Sequence, residues 1–228
     1  MNNIIFPTPP PFLDRQAEKP VELANLPSVG AGITVDEFIV SIFGDVPNDE
    51  QVLLAKQPKL NGAFINAEAL MGRYWIGEQS GSAVYFNVST VCTPAEDEPP
   101  RRRKADCCAA YCFVADDVGT KVDQEMVDPS WKLESSEDSF QFGYKLHREE
   151  NLPRYEAFVK EMGKRGYTDA GAGGYNRLMR VPGSVNIKEG RGRWQSRITE
   201  WNPERVWSLD ELAKAFGIDL DTLGVEAP

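Results

Sequence analysis

Histidine is almost missing from this 228-residue chain, and His147 is the single example. One imidazole excludes paired-histidine metal sites and the two-histidine nicking enzymes of rolling-circle replication. Cysteine is scarce too: Cys92, Cys107, Cys108 and Cys112. Three of them sit on one predicted strand, too close together for a disulfide framework. No Cys-x-x-Cys pair offers a zinc site, so they read as buried, reduced thiols. No run approaches 18 apolar residues, the length a transmembrane helix needs. The first residues are broken by prolines and lack a basic region, so no signal peptide is expected in them. The expectation is a cytoplasmic protein without membrane association. The Gly-Lys-Ser/Thr ending of a P-loop is also absent, which excludes a Walker-type nucleotide site.

Charge is unevenly spread. The formal net charge of −10 argues against a general nucleic-acid binder. Yet residues 101–205 hold 19 Lys+Arg against 17 Asp+Glu, while the remainder holds 6 against 18. The acid lies in the flanks, and the middle can tolerate a polyanion. Within it, Arg101, Arg102, Arg103 and Lys104 form a basic run. It reads either as a solvated loop or as a contact to a phosphate backbone.

Residues 1–30 are rich in proline and read as an arm. Thr34 with Glu37 three positions on predicts a capped helix ending at Gly44. Residues 49–56 read as a short helix or strand. Strands are predicted at Tyr74–Ile76, at Ala83–Cys92 and over the apolar run that leads from Cys107 into Asp116. A hairpin follows, Trp131–Ser135 and Ser139–Leu146, joined through Glu137 and Asp138. A helix over 151–165, a strand over Trp194–Trp201 and a helix capped by Ser208 complete the pattern. Mixed order with adjacent strands predicts an α+β fold. The expected organisation is an N-terminal arm and helical lead-in (1–79), a core (80–205) and a helical tail or linker (206–228).

Two carboxylates, Asp116 and Asp117, close the central strand. Burial there demands a partner cation, and Lys121 just beyond Gly119 is one choice. The alternative is a solvated turn, where Asp is common. Glu200 stands near the end of a later strand. Such acids suit Mg²⁺ or Mn²⁺, which take one to three carboxylates plus substrate phosphates and water. Arg177, Arg180, Asn186 and Lys188 supply cations and an amide around a Pro182-Gly183 turn; arginine grips phosphate with two donors. Ser139 and Gln141 alternate onto one face of a strand.

Four blocks in this order resemble the archaeo-eukaryotic primase superfamily, in particular the RepB-type primases of plasmids, phages and integrated elements. They are Asp116-Asp-Val-Gly-Thr-Lys121, Ser139-Phe-Gln141, Asn176-Arg-Leu-Met-Arg-Val-Pro-Gly-Ser-Val-Asn-Ile-Lys188 and Arg197-Ile-Thr-Glu200. The resemblance covers roughly residues 80–202. It implies an RRM-like catalytic core of mixed and antiparallel strands flanked by helices. It also implies metal-dependent primer synthesis from nucleoside triphosphates on single-stranded DNA. Asp116, Asp117 and Glu200 would be catalytic metal ligands. Ser139, Gln141, Arg177, Arg180, Asn186 and Lys188 would bind nucleotide. A replicative helicase is a further partner it suggests, and the helix ending near Phe216 is either the start of a linker to one or the last element. Two departures stand out. Gln141 takes the place of the family's histidine, and it can donate a hydrogen bond but carries no proton charge. The acids are adjacent, so both face a metal only if the strand ends at Asp116; otherwise Asp116 is the expected ligand.

Overall fold

The computed structural model describes residues 32–57, 59–60, 65–70, 73–74, 82–93, 101–171 and 173–224. The proline-rich arm, residues 75–76 of an expected strand and residues 94–100 of the polar loop lie outside them. Helix α1 (Val35–Phe43) forms as its caps dictate. The Thr34 hydroxyl accepts the Glu37 N–H at 3.2 Å, and the Glu37 carboxylate takes the Thr34 N–H at 2.8 Å. Its apolar face buries Phe38, Ile39, Ile42 and Phe43.

The strands are β1 (Glu50–Gln57), β2 (Ile65–Leu70), β3 (Arg73–Tyr74), β4 (Ala83–Asn87), β5 (Ser89–Cys92) and β6 (Cys107–Val118). Then come β7 (Trp131–Ser136), β8 (Ser139–Glu149), helix α2 (Leu152–Lys164), β9 (Leu178–Arg180), β10 (Arg197–Trp201), β11 (Val206–Trp207) and helix α3 (Leu209–Ala215). The main path through the sheet is β10-β7-β8-β6-β5-β1-β2-β3. Among these described strands only β11, beside β8, pairs in parallel. The fold is α+β, as the mixed order predicts.

The sheet forks at Val88. The single strand expected over Ala83–Cys92 is two strands with different neighbours. β5 pairs with the start of β1 and with β6, while β4 pairs with the end of β1 and with β9. Val88 itself bridges the branches: its N–H donates to Arg177 O and its carbonyl accepts from Tyr111 N–H. One branch therefore carries β9, and the other carries β6 and β8.

Two apolar cores lie on opposite faces of β6. On one, α1 packs with Leu54 of β1 and Phe86 of β4 against Val114, Trp131, Leu133 and Ile198. On the other, α2, α3 and the residue that ends α3 bring Phe158, Met162, Leu212 and Phe216 onto Phe113, Ala115 and Tyr144. Alternation along β6, interrupted at Tyr111 and Cys112 where the register with β8 shifts, divides its side chains between the two. Trp131 lies across Gly143 of β8, where an added Cβ would sit 1.9 Å from the ring. The boundary expected at 79/80 falls inside one hydrogen-bonded sheet, because β1 pairs with both β4 and β5. Likewise α3 is built into the second core. Among the described residues no helix is long and apolar enough to cross a membrane.

Candidate active site

The end of β6 lies beyond the fork, linked through Gln141 to β9 on the other branch. Its register with β8 shifts between Ala115 and Val118, and Asp117 takes a left-handed φ of 61°. Asp tolerates that conformation better than most residues. The break separates the two acids. The Asp117 carbonyl accepts from the N–H groups of Thr120, Lys121 and Val122, and its carboxylate meets the Lys121 ammonium at 2.7 Å. Lys121 also reaches Asp169 at 3.5 Å. Asp117 thus organises the turn through Gly119. A Cβ at Gly119 would stand 2.8 Å from Asp138 O, so this turn packs tightly on the β7–β8 hairpin.

Asp116 has different company. Its Oδ1 accepts from Gln141 Nε2 at 3.1 Å, and its Oδ2 lies 3.3 Å from the Arg177 guanidinium. Its N–H donates to Thr168 Oγ1. Gln141 Oε1 accepts the Arg180 N–H at 3.2 Å, which fixes the amide with its NH₂ toward Asp116. One glutamine therefore ties the carboxylate of one branch to the backbone of the other. Arg180 is 5% exposed. Its guanidinium donates to Ser184 Oγ and Val185 O and stacks 5.1 Å from the Tyr85 ring centre. Burial lowers the pKa of both Arg177 and Arg180, against the pull of Asp116.

The remaining expected residues divide. Ser139 is buried and accepts from Thr120 Oγ1, joining the hairpin to the Asp117 turn. Asn186 is buried and holds its own segment, donating to Ser135 O and accepting the Lys188 N–H. Lys188 is exposed. Arg102 donates to Asn176 O, Arg103 grips Asp106, and Lys104 pairs with Glu156 while lying over Tyr175. Arg101 is exposed at the start of the run.

Glu200 is not brought to Asp116. The register between β10 and β7 shifts at Thr199, so Ile198 opposes Leu133 but Glu200 opposes Lys132. A one-residue bulge moves the following side chain to the other face. Glu200 pairs with Lys132 at 2.7 Å, and Lys132 lies over Phe142, the residue that points away from Gln141's face. Thr168 and Asp169, from the turn after α2, are the residues sequence reasoning missed; nothing local marks them.

No protein-family model matches the chain, and no curated protein matches it in sequence. Solved structures do. The AEP domain of the cyanophage S-2L primase-polymerase is 10% identical, covering 78% of this chain and 94% of that one, with a TM-score of 0.59. The primase RepB′ is 13% identical over 84% of this chain and 62% of its own, with a TM-score of 0.52. The RepB′ catalytic domain in complex with initiator DNA is 12% identical over 83% of this chain and 93% of its own, with a TM-score of 0.50. The chain has an archaeo-eukaryotic primase fold. At the site the carboxylate beside both arginines is that of Asp116, its oxygens meeting Gln141 and Arg177; Mg²⁺ can be held by one carboxylate together with phosphates and water. Among the described residues no three His, Cys, Asp or Glu side chains converge to hold an ion.

Proposed function

We propose that the chain is a primase or primase-polymerase domain, joining nucleoside triphosphates on a single-stranded DNA template with Mg²⁺ or Mn²⁺. The observation that carries this reading is the fork itself: two largely buried arginines, Arg177 and Arg180, beside the carboxylate of Asp116. Buried cations call for an anion, and guanidinium matches phosphate. Asp116 would hold the metal, and Arg177 and Arg180 would grip the triphosphate. Gln141 keeps Asp116 in place, while Ser139 and Asn186 fix the flanking segments. Lys188 and the run Arg101–Lys104 would meet phosphates from outside. The ion, when bound, neutralises the triphosphate and makes the attacking hydroxyl more acidic. Incubation with single-stranded template, labelled nucleotides and Mn²⁺ tests the proposal, and extended primers are expected.

A second reading is a catalytically degenerate primase fold that binds nucleic acid or nucleotide. Glu200 on the far face and the fully engaged Gln141 favour it. It yields nucleotide or DNA binding without primers in the same assay. Shortened template would instead indicate a nuclease.

A further inference from the structure

The site uses none of the cysteines, and the expectation that they are all buried does not hold. Cys112 is buried, Cys107 and Cys108 are partly covered, and Cys92 is exposed. Cys92 ends β5, and Cys108 is the second residue of β6, its antiparallel neighbour. Although 16 positions apart in sequence, their sulfurs lie 2.8 Å from one another. Non-bonded heavy atoms normally rest about 3.5–4 Å apart. The register sets Val91 opposite Cys107, so Cys92 and Cys108 meet diagonally beside the register shift between Ser89 and Val91. Cys107 is engaged elsewhere, donating to Arg103 O and accepting weakly from Asn87.

We propose that Cys92 and Cys108 are a reversible disulfide site, oxidised by low-molecular-weight disulfides such as oxidised glutathione. The exposed Cys92 thiolate attacks one sulfur of the small disulfide and releases one thiol. Cys108 then attacks the Cys92 sulfur and releases the second. Two protein thiols are oxidised, one small disulfide is reduced, and the two protein protons end on the released thiols. Burial and the neighbouring Cys92 push the Cys108 thiol up, so exchange starts at Cys92. The bond would join the two ends of the span that carries Arg101–Lys104.

The test treats the full chain with excess oxidised glutathione and measures intact mass, followed by peptide mapping without reductant. Loss of two hydrogens with a Cys92–Cys108 peptide is expected, retained in Cys107→Ser and absent in Cys92→Ser and Cys108→Ser. The thermal midpoint should rise by roughly 5–10 °C and fall back with reductant. A stable glutathione adduct on Cys92, unreacted thiols, or a bond to Cys107 in the wild-type map would overturn the proposal, whatever the variants do.

Discussion

Asp116 and Asp117 are neighbours with separate tasks. Sequence adjacency suggests a repulsive acid pair whose loss would relieve the fold. The geometry reverses that sign for Asp116, because it forms an ion pair with Arg177. Asp116→Ala should cost about 1–3 kcal/mol in chemical denaturation, and wild-type stability would show that the ion pair contributes nothing. Asp116→Asn should slow primer synthesis on the order of 10²–10³-fold if it holds the metal. Asp117→Asn keeps a residue tolerant of left-handed φ, and should stay within about tenfold of wild type if its task is the turn. Equal losses in both would make Asp117 a ligand as well. Gln141 has both polar ends occupied, so Gln141→Ala should weaken Mn²⁺ binding measured without nucleotide. An effect confined to nucleotide affinity would return the amide to the triphosphate.

At the scale of elements, capping was the most legible feature. Both predicted caps form, Thr34 with Glu37 and Ser208 with Glu211, each as a capping box, since a cap is settled within four residues. The fork at Val88 was hidden, because β-rich sequence continues through it and the break comes from a change of partner. The facing of Glu200 was hidden for a similar reason: the bulge at Thr199 is a property of the pair. The acids, arginines and Gln141 were legible as chemical types in order, but the bridge from Gln141 to β9 spans 39 positions. Gly143 carries its own test. Its missing side chain makes room for Trp131, so Gly143→Ala should destabilise by about 1–3 kcal/mol. A variant as stable as wild type would mean that the ring moves aside freely.

Across the whole molecule, the proposed function requires a chain of net charge −10 to approach a polyanion. On that proposal the contacts would come from its less acidic middle, and binding to single strands should weaken as salt rises, by about 0.7 in the log–log slope for each phosphate contacted. If all four side chains of Arg101–Lys104 met phosphate, neutralising them would flatten the slope by roughly 3. The fold argues for less. Arg103 already grips Asp106 and Lys104 already pairs with Glu156, and a cation with an internal partner releases fewer counterions on binding. Neutralising the run to glutamine should therefore flatten the slope by roughly 1–2. Glu156→Gln, which releases Lys104, should steepen it. Fluorescence anisotropy with a labelled oligonucleotide across a salt series measures both. An unchanged slope in the neutralised variant would reduce the run to a clasp between the start of β6 and α2, and would move the search for the template path to Lys188 and its surroundings.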